Sequence, residues 1–317
     1  MQGERVMDIQ LVTDGLRFPE GPIAMNDGSV ILTEIEAGEL TRVFPDGRKE
    51  TVAKTGGGPN GAALGPDGAI YVTNNGSSFA FHKVDGLNLP GPTPPEHTGG
   101  YIQRVDIKTG ACKTIYTHAG ERRLNGPNDL VFDKSGGFWF TDHGTSSAST
   151  ATYGGLFYAK ADGSSITCVR DRMTSPNGVG LSPDEKTVYM ADTMTGRLWA
   201  FGIEAPGKIA DGNILFPGRV VATLPNYQLL DSLAVEAGGK VCVATIVNGG
   251  ITAFDPSGEE TFSALGAFEH YPLPDVLTTN ICFGGADMQD AWVTCSGTGT
   301  LYKMRWPRPG LRLNFAA

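Results

Sequence analysis

Six polar residues recur in this 317-residue chain at one position of a repeated pattern. Glu20 stands in FPEGPIAMNDG, Asn60 in GPNGAALGPDG and Asn128 in GPNDLVFDKSGG; Asn177 stands in SPNGVGLSPDEK, Asp231 in LLDSLAVEAGGK and Asn280 in TTNICFGGADMQ. In each copy a turn residue follows seven positions later, at Asp27, Asp67, Ser135, Asp184, Gly238 and Asp287. The set holds two carboxylates, four amides and no His or Cys. Such oxygen donors suit Ca²⁺, Mg²⁺ or Mn²⁺ better than zinc. One Asn after Pro would be an ordinary turn former. Six polar residues in register, with acids replacing Asn twice and one of them Glu, a poor turn former, point instead to a shared site.

The elements that must position them are short strands. After each turn comes an apolar run: VILTE, IYVTN, FWFTD, VYMAD, VCVAT and AWVTC. A third strand follows in segments such as ELTRV, YIQRV and GLFYA, and a fourth in RKETVAK, CKTIYTH and SITCVRD. No amphipathic helix interrupts them, and 44 glycines and 20 prolines supply the turns. Units of roughly 40–55 residues with about four strands each indicate a β-propeller. The expected fold is all-β: a six-bladed β-propeller with about four antiparallel strands per blade. Its blades start near 20, 60, 128, 177, 231 and 280, within one domain over 1–317. The lone segment IQLVTDG, from Ile9 to Gly15, is expected to add the outer strand of the last blade and close the ring. The long gap after Asn60 contains FAFHKVDGLNLPGPTPPEHTGG, expected to be a surface loop that could cover the mouth. In a propeller the first strand of each blade lines the central channel, so the six polar residues converge at one mouth. Burying them there is costly unless a cation satisfies them. The second strands end near the same mouth with Glu34, Asn74, Asp142 and Asp192, candidates for support or substrate contact.

Bulk properties exclude several classes. A net charge of −9 argues against nucleic acid as partner. No run approaches the roughly 18 apolar residues of a membrane span. The N-terminal MQGERVMDIQLV lacks a secretory apolar core and reads as unprocessed. Five cysteines without a CxxC pair read as buried free thiols of a reducing, cytoplasmic compartment. GxSxG and HExxH are absent. Features of a dehydrogenase propeller's cofactor site are not found.

FPEGP around Glu20, RLNGPNDLVFDKSGGFWFTD, SPNGVGLSPDEKTVYMADT, LLDSLAVEAGGKVCVAT and TTNICFGGADMQDAWVT resemble the SMP-30/gluconolactonase/LRE-like family over essentially the whole chain. The resemblance implies a six-bladed propeller that hydrolyses lactones with one divalent metal. It implies metal ligation by Glu20, Asn177 and Asp231, and contact of Asn128 with metal or substrate. Two departures stand out. Leu230-Asp231-Ser232 replaces the Pro-Asp-Gly of many relatives, and His143 follows the blade-three strand where Pro is frequent.

The expected reaction is hydrolysis of a lactone, by default a sugar lactone, to the hydroxy acid. The cation, Ca²⁺ first with Mg²⁺, Mn²⁺, Zn²⁺ or Fe²⁺ as alternatives, polarises the carbonyl, and a water attacks. Asp231 is the expected general base as well as a ligand, though another group could serve. Glu20 neutralises the cation and Asn177 anchors it. Asn128 and Asn60 orient substrate oxygens, Arg123 (with Arg122) could reach the mouth, and His143 could shuttle protons. The expected partner is a small-molecule lactone, without nucleic acid or membrane, for a monomer or small homo-oligomer. Two alternatives stay open: a phosphotriesterase or arylesterase on the same metal site, and a non-catalytic ligand-binding propeller with a structural metal.

Overall fold

A computed structural model describes residues 8–210, 218–257 and 268–316; residues 1–7, including most of the N-terminal stretch read as unprocessed, lie outside them. All its regular elements are strands, and they form a six-bladed propeller. From channel to rim, blade 1 holds Pro19–Ala24, Val30–Glu34, Glu39–Val43 and Lys49–Lys54. Blade 2 holds Pro59–Leu64, Ile70–Asn74, Tyr101–Val105 and Cys112–Tyr116, and blade 3 Pro127–Phe132, Gly137–Asp142, Gly154–Lys160 and Ile166–Met173. Blade 4 holds Pro176–Leu181, Thr187–Asp192, Arg197–Ala205 and Arg219–Thr223. Blade 5 holds Leu229–Val235, Val241–Ile246, Gly250–Phe254 and Phe268–Pro272. Blade 6 is built from Thr278–Gly284, Asp290–Cys295 and Thr300–Arg305, and the N-terminal Ile9–Thr13 pairs antiparallel with Thr300–Arg305 as its fourth strand.

The apolar second strands are explained by burial on both faces. Ile31 packs toward blade 2 with Ile70 and Val72, while Val30 and Leu32 pack toward blade 6 with Trp292 and Leu301. The same division repeats around the ring, so the core is six wedges, one between each pair of neighbouring blades. Aromatic residues fill the wedge of blades 2 and 3, where Phe140 stacks on Phe157 at 5.0 Å between ring centroids.

Hydroxyls of the second strands clasp adjacent blades near the channel. Thr33 Oγ1 donates to the backbone carbonyl of Asn60 at 2.5 Å, and Thr73 Oγ1 to that of Asn128 at 2.5 Å. Thr141 Oγ1 donates likewise to the carbonyl of Asn177, and Ser296 Oγ, just past the second strand of blade 6, to that of Pro19 at 2.5 Å. Four of the six junctions, those of blades 1–2, 2–3, 3–4 and 6–1, are thereby tied near the polar positions.

The far end of the channel is crossed by the tail after Trp306. Ala237 N donates to Pro309 O, Leu311 N to Val235 O, and Asn314 Nδ2 to Phe132 O and to Glu185. Between tail and polar ring lies a cavity of about 110 Å³, lined chiefly by apolar side chains including Val131, Leu181, Val235 and Leu311.

Two expectations are corrected. The insertion after blade 2's second strand is more than a surface loop: Phe81–Val84 and Leu87–Pro90 form a hairpin whose apolar side chains pack onto other blades. Among the cysteines, Cys242 and Cys295 are buried, but Cys112 is exposed on the outer strand of blade 2. No helix among the described residues is long and apolar enough to cross a membrane.

The clasps predict a measurable cost. Thr73 Oγ1 accepts from Gly61 N at 2.9 Å as well as donating to Asn128 O. Thr73→Val keeps the shape but leaves both backbone groups unpaired, which is expected to cost about 1–3 kcal/mol. Thermal unfolding should show a midpoint lower by several degrees; an unchanged midpoint would mean that the clasp carries no net energy.

Candidate metal centre

The position of each polar residue comes from an irregularity repeated in all six inner strands. Pairing with the second strand slips between Glu20 and Ile23, Pro59 and Ala62, Pro127 and Leu130, Pro176 and Val179, Leu230 and Leu233, and Thr278 and Asn280. Such bulges re-aim a side chain that regular pleating would point elsewhere. They also bring neighbouring inner strands very close. A Cβ on Gly21 would lie 2.5 Å from Asn60 O, and one on Gly178 2.6 Å from Leu233 N. Only glycine fits there, and Gly21 also adopts φ +48°.

All six ring residues are buried. Glu20 Oε2 accepts from Asn280 Nδ2 at 2.7 Å and from Gly21 N at 2.6 Å. Across the channel Asp231 is hydrogen-bonded by the Asn177 side chain. Asn177 Nδ2 donates to Thr193 Oγ1 at 3.0 Å, and its Oδ1 faces Ser232 Oγ at 3.4 Å. The carbonyl oxygen Asn128 Oδ1 is buried without a hydrogen-bond partner. Asn280 Oδ1 accepts from Ile281 N at 2.7 Å, so here the turn-capping role of a strand-entry Asn is also filled.

A third carboxylate belongs to this centre. Asp129, next to Asn128, is buried and hydrogen-bonded by Leu130 N at 2.8 Å. It occupies the position held by Gly21, Gly61 and Gly178 in other blades, and a Cβ on Gly61 would sit 2.7 Å from its Oδ1. The signal in the sequence is an acid where the repeat otherwise carries glycine, serine or isoleucine.

Burial pushes the Asp129 and Asp231 carboxyls each up to about 7, and the nearby Asp129 charge adds to the rise at Asp231. Glu20 is raised well above the usual carboxylate range by burial first and then by the charges of Asp231 and Asp129. Hydrogen bonds from amides at Glu20 and Asp231, from the Ser232 hydroxyl at Asp129, and from backbone pull each of them back only in part. Among the described residues no three of His, Cys, Asp and Glu gather tightly enough to hold a metal by themselves. A cation here would depend on amide oxygens as well as carboxylates. The unpartnered Asn128 oxygen, the mutually repelling acids and the oxygen-only donor set fit a hard divalent ion.

The remaining candidates divide. Asn60 stands in the ring, clasped through its carbonyl by Thr33. Partly buried His143 lies at the end of blade 3's second strand; burial holds its imidazole below the usual histidine range, against the pull of the Asp192 and Asp142 carboxylates. Arg123 is not drawn into the ring: it is exposed on a hairpin, with its stem beside Gly99. Its neighbour Arg122 is paired with Asp171 and lies over Phe157. The strand-end acids serve their own loops. Asp142 accepts from the backbone of Asn125, Gly126 and Gly144, and Glu34 from Arg17 N and Thr41.

The family profile described as SMP-30/gluconolactonase/LRE-like region matches residues 18–297. The chain belongs to this family. A gluconolactonase from Zymomonas mobilis is 25% identical over 305 residues, spanning 87% of this chain and 76% of its own length. The solved structure of a gluconolactonase from Xanthomonas campestris superposes with a TM-score of 0.72 at 22% identity, over 94% of this chain and 89% of that one. Regucalcin from Agrobacterium tumefaciens, a calcium-binding protein, gives 0.69 at 19% identity over 98% of each chain. These two likenesses speak for the SMP-30-type propeller as a fold.

The raised carboxyls set a pH dependence in metal-stripped protein. A folded state that holds its protons more tightly than the unfolded chain is favoured at low pH, fully so below about 4. That contribution is lost as pH rises through about 7, the value to which Asp129 and Asp231 are pushed. The unfolding midpoint of chelator-treated protein should fall between pH 5 and 8, and Ca²⁺ should restore more of it at pH 8. A midpoint insensitive to both would remove the charge-strained ring.

Proposed function

We propose that this propeller is a lactonase that opens a cyclic ester to its hydroxy acid on the buried ring. The observation that carries the reading is the convergence of Glu20, Asp231 and the unpartnered Asn128 oxygen in one channel of a family that includes gluconolactonases. Glu20, Asn177 and Asp231 would hold one divalent ion, with Ca²⁺ favoured by the all-oxygen donors and in keeping with a calcium-binding structural neighbour. Such an ion supplies Lewis acidity toward the ester carbonyl and neutralises the acids.

The chain's own residues then divide the work. Asp231 accepts a proton from the attacking water, as a carboxylate placed within reach of that water can. Asn177 stands beside that carboxylate and draws its proton affinity down in part. Water adds to the carbonyl carbon, the acyl–oxygen bond of the ring breaks, and Asp231 returns the proton to the leaving oxygen. Atoms balance: one water and one lactone give one hydroxy acid. Asn128 and Asn60 orient substrate oxygens. His143, kept neutral, can relay a proton at the edge of the ring. A sugar lactone is the default substrate of such a site.

Metal-stripped protein given Ca²⁺, Mg²⁺, Mn²⁺, Zn²⁺ or Fe²⁺ singly should regain lactone hydrolysis, followed as proton release. Asp231→Asn should lower kcat by about 10²–10⁴-fold while the unfolding curve persists. Turnover confined to phosphotriesters would reassign the chemistry, and metal binding without any turnover would leave a binding propeller.

A further inference from the structure

The loops around the mouth are unequal. The insertion of blade 2 reaches over its neighbours and is fastened to them. Phe79, Phe81, Leu87 and Leu89 pack with Phe18, Ile35, Leu277 and Ile246, which belong to blades 1, 6 and 5. Phe81 lies 4.9 Å from Phe18, only two residues before Glu20. Asn88 N donates to Gly297 O at 2.8 Å, and Asn88 Nδ2 to Glu36 at 2.9 Å. Farther along, Thr93 N donates to Ser146 O of blade 3, and His97 is held between the carbonyls of Gly76 and Asn125. This roof rests on blades 1, 3, 5 and 6; none of these ties involves a loop of blade 4.

On the side away from the roof, large apolar side chains stand exposed beside the amides Asn226 and Asn248. Met194 is 60% exposed and Tyr227 69%. Both stand close to the ring in the chain's connections. Met194 N donates to Ser175 Oγ, two residues before Asn177, and adjoins Thr193, whose hydroxyl accepts from Asn177. Tyr227 precedes Asp231 by four residues, and its loop abuts the Met194 loop where a Cβ on Gly196 would lie 3.1 Å from Gln228 O. Between this side and the roof stand exposed Val247 and Val276, joined by Val247 N to Val276 O at 2.8 Å. Val247 holds φ +86°, a strained conformation for a β-branched residue. Single exposed apolar residues are ordinary; a run of them bordering a buried polar centre marks a binding surface.

We propose that the natural substrate is a lactone bearing an apolar alkyl or aryl substituent. Met194 and Tyr227 receive that substituent, and the fixed hairpin walls the opposite side. An apolar arm is desolvated against the Met194 chain and the Tyr227 ring, contacts from which a sugar hydroxyl gains little. This rests on the lactonase reading and replaces its default sugar lactone.

The test compares kcat/KM of the metal-loaded enzyme for δ-valerolactone, δ-decalactone and glucono-δ-lactone. δ-Decalactone should exceed both others by about tenfold or more. Met194→Ser and Tyr227→Ser are exposed changes that should leave the unfolding midpoint in place. Each should cut kcat/KM for δ-decalactone about fivefold or more while leaving δ-valerolactone unchanged. Glucono-δ-lactone as best substrate, or equal losses on both aliphatic lactones, would overturn the proposal with lactonase activity intact. Turnover of none of the three would overturn the lactonase reading and this proposal together.

Discussion

A hydroxyl of one blade donating to the strand-entry carbonyl of the next is the interaction on which the polar centre depends. Thr33, Thr73, Thr141 and Ser296 each fix the backbone at or beside a ring residue of the neighbouring blade. These bonds work together with the glycines behind them, because hydroxyl and carbonyl can meet only if the inner strands approach without side chains between them. Ala191 and Ala244 hold the corresponding second-strand position in blades 4 and 5. Between those two blades the close approach of Gly178 to Ser232 and the facing of Ser232 and Asn177 take its place. The diameter of the ring is therefore set by backbone contacts and does not await a ligand.

That rigidity lets the protein keep an arrangement that is unfavourable by itself. Glu20, Asp129 and Asp231 repel one another in a buried place, and hydrogen bonds from amides and backbone relieve them incompletely. Six apolar wedges supply the compensating stability at a distance, between the blades rather than in the channel. Division of labour of this kind, a strained polar centre on an over-determined frame, is what preorganisation requires.

Much of this was legible in the chain. Closure by Ile9–Thr13 followed from a lone strand standing ahead of the first blade, whereas the seven-residue spacing and the apolar second strands sufficed for blade count and strand order, because both reflect local backbone periodicity. The six polar positions were legible for the same reason. Asp129 was marked only by being an acid at a position otherwise glycine, serine or isoleucine, since the inner-strand bulge leaves no period-two trace there. The arms Arg122 and Arg123 read as neighbours of the mouth, yet a short hairpin carries them away, Arg122 to Asp171. The insertion's Pro and Gly content suggested a loop, whereas Phe79, Phe81, Leu87 and Leu89 anchor it through contacts with residues as distant as Leu277. Composition cannot report such contacts.

The pairing that completes blade 6 joins residue 9 to residue 304. Almost the whole polypeptide must therefore be present before the circle can shut. Until then blades 1 and 6 expose the wedge that contains Leu32 and Trp292, and the outer edge of Thr300–Arg305 stands open to any passing strand. Contacts of such sequence separation are slow to form because loop-closure entropy is spent before they reward it. Assembly of this molecule is thus a late, all-at-once event, and its hazard is a C-terminal blade that finds a foreign strand before its own.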